Sequence, residues 1–295
     1  MKTSTWILCA FLALIGMSFG PFKSNRSELP KNFASTYSFI PASTFTLNDK
    51  AISTAPFYMS TCEVTNADYK LFLSETNLKG DKLKAIQVDS NQWRDAFSYN
   101  EPYVQYYFSH PAYSSYPVVN VSYEGALEYC KWLSTKINQS IQTDGSYVEC
   151  RLPSREEWLR AATNANAQMM YAWGGSYLEN KKGLSLCNFA HVGDQGIHYD
   201  QETATYQVIR GDHLGVAADL SDNADITAPV FAYAPSALGL YNLNGNVAEM
   251  VAEKGIAVGG SWKSTGYDVR NESVMNYAGP NPLVGFRPVV IITHR

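Results

Sequence analysis

The chain has 295 residues, with 45% hydrophobic, 13% aromatic and 17% charged side chains and a formal net charge of −4 at pH 7. This length suits one large domain or two small ones, and the composition is typical of a globular protein. The negative net charge argues against a nucleic-acid-binding surface, which requires clustered lysine and arginine.

The first residues have the pattern of a secretory signal peptide. Lys2 supplies a positive charge, residues 6–15 form an apolar run, and small residues follow at positions 16, 18 and 20. Because a membrane-spanning helix needs roughly 20 apolar residues, this run is short for one. We therefore predict a signal peptide over residues 1–20, with Ser18 as a suitable cleavage point and an uncleaved anchor as the alternative.

The rest of the chain is predicted to contain a polar tether over residues 21–35 and a single domain over residues 36–295. An exported protein of this kind would lie in the periplasm, at the outer membrane or outside the cell, and peripheral membrane association stays open. Export permits disulfides, but the four cysteines that follow the predicted signal peptide allow three pairings that the sequence does not rank. These cysteines are Cys62, Cys130, Cys150 and Cys187.

The predicted domain begins with strands and continues with helices. Three short β-branched or aromatic runs between residues 38 and 59 are broken by turn-forming residues, which predicts strands. Helices are predicted to begin after Thr65, Ser122 and Ser154, because each of these N-caps is followed by an apolar stripe. Beyond Ala165 the sequence is a succession of Gly, Asn, Asp and Pro turns. We therefore expect one α+β domain with little regular secondary structure.

Several sequence blocks resemble, in chain order, the motifs of the formylglycine-generating enzyme (sulfatase-modifying factor) superfamily. Each block alone is weak, but their common order over most of the chain is specific. This resemblance implies an α+β domain that elaborates the C-type-lectin-like fold. The blocks are Phe57–Met59 with Glu63–Asn66, Tyr116–Ser122 (YPVVNVS), Arg151–Trp158 (RLPSREEW), Tyr171–Gly175 (YAWGG), Gly239–Glu249 (GLYNLNGNVAE), Gly259–Trp262 (GGSW) and Gly285–Arg287 (GFR).

The resemblance also implies a structural calcium ion in the loop over residues 242–249. The ligands carried over are the Asn242 side chain, the carbonyls of Gly245 and Val247, and the Glu249 carboxylate. Calcium takes six to eight hard oxygen ligands and accepts backbone carbonyls, so this set is chemically suitable. On spacing alone, a tight turn built from Asn and Gly is the competing interpretation.

A second calcium site of the superfamily corresponds to the Asn188 side chain, the Phe189 carbonyl and Asp222, with Asp225 close by. Both loops that contain these residues carry insertions relative to the usual pattern.

The resemblance fails at the residues that carry the superfamily's oxidation chemistry. Formylglycine-generating enzymes hold copper(I) with two cysteines in the segment that follows Gly-Gly-Ser, and a soft ion of this kind requires soft thiolate ligands. At those two positions this chain has Ser264 and Asp268. Copper is therefore not expected as a cofactor, and formylglycine oxidase activity is not expected.

Other pocket positions show the same divergence. An active-site Trp of the superfamily is Ala248 here, and an Arg is Val269, whereas Ser261 and Tyr267 are retained. We define the degenerate pocket as Ser261, Ser264, Tyr267 and Asp268. The cysteine position at Cys130 is often disulfide-bonded in the superfamily, but the aligned partner here is Ser273, which argues against that bridge.

The sequence contains no established catalytic motif in place of the missing thiols, and acid–base catalysis by a polar cluster of Lys263, Ser264 and Asp268 stays open as an alternative. The five histidines, His110, His191, His198, His213 and His294, are scattered without an i, i+4 pair, and no phosphate-cradling loop or nucleophile elbow occurs.

We therefore expect a noncatalytic scaffold or binding protein of the cell envelope, with an envelope protein as its partner. Relatives of this kind are found among gliding-motility and type IX secretion components, although this chain lacks their usual lipid-attachment cysteine. The alternatives are an enzyme with altered chemistry in the same cleft and a lectin-like ligand-binding module. Fold resemblance alone does not decide among these functions.

Overall fold

The computed structural model describes residues 29–47, 49–96, 100–141, 146–190, 197–208 and 225–294. The predicted signal peptide and residues 21–28 of the predicted tether lie outside the described residues. Within the described ranges, every helix is too short or too polar to cross a membrane.

The predicted N-caps of the three main helices are confirmed. Thr65 and Ser154 each form a reciprocal capping box with the acidic residue three positions later, Asp68 and Glu157 respectively. Ser122 accepts a hydrogen bond from the amide of Gly125. Each cap is worth about 1 kcal/mol because it satisfies an otherwise unpaired amide at the helix start. The helices are α1 (Lys31–Ala34), α2 (Asn66–Glu75), α3 (Asp81–Ile86), α4 (Trp93–Ala96), α5 (Glu101–Tyr106), α6 (Tyr123–Ser140) and α7 (Arg155–Thr163).

The strands form two four-stranded sheets and two hairpins. The first sheet has the order β1-β4-β12-β5, the second has the order β10-β9-β8-β11, and the hairpins are β2-β3 and β6-β7. The strands are β1 (Tyr37–Ile40), β2 (Ser43–Leu47), β3 (Lys50–Thr54), β4 (Phe57–Ser60), β5 (Ser146–Arg151), β6 (Ile197–Asp200), β7 (Thr205–Val208), β8 (Ala248–Met250), β9 (Ile256–Val258), β10 (Val274–Asn276), β11 (Val284–Gly285) and β12 (Val289–His294).

The first sheet separates two hydrophobic clusters. Because successive side chains of a strand point to opposite faces, Met59 and Val289 pack in one cluster and Tyr58 and Val290 in the other. The cluster on the Val290 side contains the buried stripes of α2 and α6. The cluster on the Val289 side contains α7 and the β2-β3 hairpin. The sheet is therefore covered on both faces.

The topology joins the two ends of the domain. The last strand, β12, pairs with β4 near the start of the domain and with β5 in its middle. Residues near 60 and residues near 287 consequently lie side by side. This juxtaposition positions the site described below.

Candidate functional site

The turn that precedes β8 connects segments that are distant in the sequence. The amide of Asn246 donates to the carbonyl of Asn188 at 2.8 Å, the amide of Gly245 donates to Gly259 at 2.8 Å, and the amide of Trp262 donates to Asn246 at 2.8 Å. Gly245 has a φ of 77°, and a Cβ at this position would clash with the Asn188 carbonyl. Glycine is required here both by the backbone conformation and by the close approach.

A buried ion pair lies behind this turn. The Arg287 guanidinium donates to both Glu249 oxygens, with Nε at 2.7 Å from each and Nη2 at 2.5 Å from Oε1. Trp158 Nε1 donates to Glu249 Oε2 at 2.8 Å. Both charged residues are fully buried. Burial lowers the pKa of Arg287, but the adjacent Glu249 carboxylate outweighs it and leaves the pKa raised.

A second buried carboxylate, Glu63, lies beside the ion pair. It accepts from Asn246 Nδ2 at 2.8 Å and from Asn242 Nδ2 at 3.3 Å. Burial raises the pKa of Glu63 to about 7, with the Glu249 charge adding to the rise and Arg287 opposing it. The site thus has two acidic groups and one basic group, and its net charge changes near neutral pH.

The first predicted calcium ligand set can be compared with this geometry. Asn242, Gly245, Val247 and Glu249 are all buried within one short segment. The Asn242 side-chain oxygen is buried and has no hydrogen-bond donor, so it fits a cation ligand. Glu249 already accepts from Arg287 and Trp158, so calcium would have to share this carboxylate with them. The calcium assignment stays a prediction.

The second predicted ligand set is only partly described. Asn188 is buried, its Nδ2 donates to the carbonyl of Ile226 at 2.7 Å, and its own carbonyl accepts from Asn246. Phe189 is buried in a small cluster next to Cys187. Asp222 lies outside the described residues. The structure therefore brings Asn188 into contact with the first predicted site, and the rest of the second set stays a prediction.

The degenerate pocket is divided into two hydrogen-bonded parts. Ser264 Oγ accepts from the Ser261 amide at 2.9 Å and lies 3.2 Å from Ser261 Oγ. Asp268 instead accepts from the Thr265 hydroxyl at 2.7 Å. The two positions of the superfamily's thiols therefore have separate partners within one turn. The fourth pocket residue, Tyr267, is 69% exposed.

An exposed aromatic surface borders this turn. The Arg270 guanidinium carbon lies over the Tyr267 ring, 3.5 Å from the ring centroid. Leu178 packs against Gly266, and its neighbour Tyr177 is 80% exposed. We define Trp173, Tyr177, Tyr267 and Arg270 as the aromatic rim.

In the part of the chain that the structure describes, no three His, Cys, Asp or Glu side chains are grouped so that they could hold a metal ion. This finding does not concern sites built from amide and backbone oxygens, such as the loop of Asn242. Of the histidines, His191 and His213 lie outside the described residues. The imidazole of His110 accepts from the Ala112 amide.

Sequence reasoning did not assign roles to Glu63 and Arg287, although both lie in the quoted motif blocks. A charged residue that is buried needs a partner, so each of these two residues could have been predicted to form an ion pair if its motif was assumed to be buried. What the sequence did not give was their proximity, which depends on the pairing of β12 with β4.

Comparison with known proteins agrees with this architecture. The solved structure of PvdO from Pseudomonas aeruginosa superimposes with a TM-score of 0.53 at 18% identity, covering 85% of this chain and 92% of that one. Treponema denticola variable protein 1 gives a TM-score of 0.53 at 16% identity, covering 86% and 94%. CarF gives 0.52 at 18% identity, covering 86% and 97%. These similarities show the fold and confirm the α+β prediction.

Curated relatives and a family model identify the family. Formylglycine-generating enzyme of Thermomonospora curvata is 30% identical over 139 residues, which are 47% of this chain and 34% of that protein. The Mus musculus enzyme is 25% identical over 218 residues, 67% of this chain and 49% of that protein. The chain thus spans about half or less of the length of these relatives. The model of the sulfatase-modifying factor enzyme 1-like domain matches residues 20–292. The chain therefore belongs to the family of this domain.

Proposed function

We propose that this chain is a noncatalytic scaffold or binding protein of the cell envelope, built on a sulfatase-modifying-factor domain. One observation carries the proposal: the two positions that resemble the copper-binding cysteines are Ser264 and Asp268. Copper(I) prefers thiolate or thioether ligands, whereas a hydroxyl and a carboxylate are hard oxygen donors. The residues present at this position therefore do not fit copper(I).

The cysteines elsewhere in the domain do not compensate for this loss. Cys130 and Cys150 are buried in the cluster between α6 and β5, and Cys187 is buried in another cluster. Burial raises the pKa of Cys150, and it raises the pKa of Cys62 to about 12. A thiol with a raised pKa is protonated at neutral pH, so it is a poor ligand and a poor nucleophile.

The aromatic rim supports a binding role. Exposed tyrosines present a large apolar area with one polar end, and aromatic residues and arginine are enriched at protein interfaces. Tyr177 is 80% exposed and Tyr267 is 69% exposed beside the degenerate pocket. An envelope protein that packs on this rim is the proposed partner. A role beside gliding-motility or type IX secretion components is part of the same proposal and is supported only by resemblance.

An exported location and a structural calcium ion complete the proposal. The location is supported by the signal-peptide pattern, which lies outside the described residues. Calcium is supported by the unpartnered oxygen of Asn242 and by the nearby carboxylates. When bound, calcium would supply positive charge that ties the loop carbonyls of Gly245 and Val247 to the acidic residues.

The calcium proposal predicts ligand-dependent stability. A ligand that binds only the folded state stabilises it by about 2.7 kcal/mol at 100 times its Kd, so millimolar calcium should raise the Tm relative to a chelator. Asn242→Ala should abolish the difference, whereas Asn180→Ala, in an exposed turn, should leave it intact. An equal Tm of the parent chain with calcium and with chelator would contradict the assignment.

The loss of oxidase chemistry can be tested directly. The purified chain is incubated with copper(I), oxygen and a Cys-x-Pro-x-Arg peptide, and formylglycine is quantified by mass spectrometry. We expect no product above a protein-free control. Product formation, together with copper(I) binding, would refute the noncatalytic assignment and favour the alternative of an altered enzyme in the same cleft.

The binding role is tested by quantitative purification of the tagged chain from its native envelope. We expect a partner in near-stoichiometric amount, and we expect the double variant Tyr177→Ala/Tyr267→Ala to lose it. Tyr206→Ala is the matched control, because that tyrosine is 75% exposed on a different hairpin. Retention of the partner by the double variant would remove the rim from the proposal.

A lectin-like module is the second candidate, favoured by the same exposed rings, since aromatic faces also stack on sugars. Binding of the parent chain to a glycan array, lost in the double variant and kept in Tyr206→Ala, would support this second candidate over a protein partner.

A further inference from the structure

Two buried cysteines face each other between α6 and β5. Cys130 lies on α6 and Cys150 on β5, both are buried, and they belong to the same hydrophobic cluster. The hydroxyl of Ser134 connects their backbones. It accepts from the Cys150 amide at 2.8 Å and donates to the Cys130 carbonyl at 3.0 Å. Through Ser134, the helix and the strand are thus held together beside the two cysteines.

A groove lies beside the pair on the protein surface. This groove, between α6 and β5, has Cys150, which is 5% exposed, among its lining residues. The other side chains that line the groove are polar, apart from the ring of a tyrosine: Lys131, Ser134, Thr135, Asn138, Gln139, Tyr147 and Glu149.

We infer that Cys130 and Cys150 form a disulfide that ties α6 to β5 when the chain folds in an oxidising compartment. The two thiols lose two protons and two electrons in forming the S–S bond. The oxidant is a disulfide of the thiol–disulfide exchange class, such as oxidised glutathione. One thiolate attacks it and releases one thiol, and the second cysteine then attacks the mixed disulfide and releases the other.

The environment also predicts when the bond forms. Burial raises the pKa of Cys150, and the Cys130 thiol raises it further. Because the thiolate is the attacking species, exchange in the folded, reduced protein is slow. The bond therefore forms mainly before α6 has packed on β5.

The test is a disulfide map of the refolded full-length chain. Reduced, unfolded protein is refolded with oxidised and reduced glutathione, alkylated without reduction and digested with trypsin. Cleavage after Lys131, Lys136 and Arg151 places the two cysteines in separate peptides. We expect these two peptides to be joined, and we expect Cys62 and Cys187 to be alkylated.

The stability and the kinetics provide independent readouts. Loop closure over about 20 residues should raise the Tm of the oxidised chain by about 5–10 °C over the reduced chain. Cys187→Ala is the control, because it removes a buried thiol in another cluster and should leave both the joined peptides and the Tm difference unchanged. Oxidation of the folded, reduced chain should be at least tenfold slower than oxidation during refolding.

Two results would overturn the inference. One is a natively folded chain, refolded with the oxidant, in which Cys130 and Cys150 are both alkylated. The other is a peptide that joins Cys130 or Cys150 to Cys62 instead.

Discussion

Replacing Arg287 by methionine tests whether the buried ion pair holds the two ends of the domain together. The substitution keeps much of the side-chain volume but leaves the Glu249 carboxylate buried without its cation. It also removes the donors to the carbonyls of Ser60, Thr61 and Tyr241, which lie 2.6–3.3 Å from the guanidinium.

The expected loss follows from these contacts. Breaking a fully buried pair by removing one partner costs about 3–5 kcal/mol, because the remaining charge is desolvated without compensation. Unsatisfied carbonyls add roughly 1 kcal/mol or more. We therefore expect the free energy of unfolding to fall by about 4–6 kcal/mol, a large share of the roughly 5–15 kcal/mol that is typical of a domain.

Urea unfolding followed by circular dichroism and tryptophan fluorescence measures this loss, with the m-value as a check on two-state behaviour. The control is Arg94→Met, which breaks the pair of Arg94 with Glu101, whose side chains are 50% and 56% exposed. Exposed pairs contribute about 0–1 kcal/mol, so the control should be nearly neutral.

A double variant, Glu249→Met/Arg287→Met, separates the effect of the two charges from the effect of side-chain packing. Because replacing both charges by apolar groups removes the uncompensated carboxylate, it should recover at least about 2 kcal/mol relative to Arg287→Met. Two results would refute the reasoning: a single variant within about 1 kcal/mol of the parent chain, or a double variant no more stable than the single one.

Three further predictions concern the same framework. Since the folded pKa of Glu63 is about 7 and its ordinary value is 4.5, the folded state binds a proton more tightly than the unfolded state. Stability should therefore fall by up to about 3 kcal/mol as pH rises from 4.5 to 7, and Glu63→Gln should flatten this dependence in chelator-containing buffer; an unchanged slope would contradict the assignment. Gly245→Ala should lower the free energy of unfolding in urea by about 2–4 kcal/mol, because the new Cβ would clash with the Asn188 carbonyl. The control is Gly239→Ala, which has a similar φ of 74° but open space around it and should cost only about 1 kcal/mol. Equal losses of stability in the two variants would count against the clash. Ser154→Ala should lower stability by about 1 kcal/mol through loss of the α7 cap, and a neutral result would show that the cap is dispensable.

Local sequence signals predicted the parts of the fold that depend on neighbouring residues. The N-caps at Thr65, Ser122 and Ser154 were predicted because a capping side chain and its amide partner are three residues apart. The short helices α3 to α5, over residues 81–106, were not predicted. They are four to six residues long, and a short helix has too few turns to show an apolar period.

The site required information that the sequence does not contain locally. Asn242 and Glu249 lie in one motif, and both were predicted to take part. Glu63 and Arg287 are separated from them by strand pairings, and their contacts are set by the topology of β4 and β12. The proximity of Cys130 to Cys150 likewise depends on how α6 packs against β5, which explains why the sequence left the cysteine pairings open.

The residues that carry the fold and the residues that carry the superfamily's chemistry occupy different environments. Glu63, Glu249 and Arg287 are buried, and loss of Arg287 leaves the Glu249 carboxylate buried without its cation, at a large desolvation penalty. Ser264 and Asp268 lie in a partly exposed turn, and their side-chain hydrogen bonds are local. Changes of residue at those two positions should therefore have little effect on the network behind the turn. This separation allows a chain to keep the motifs and the fold of the family while the residues at these two positions vary.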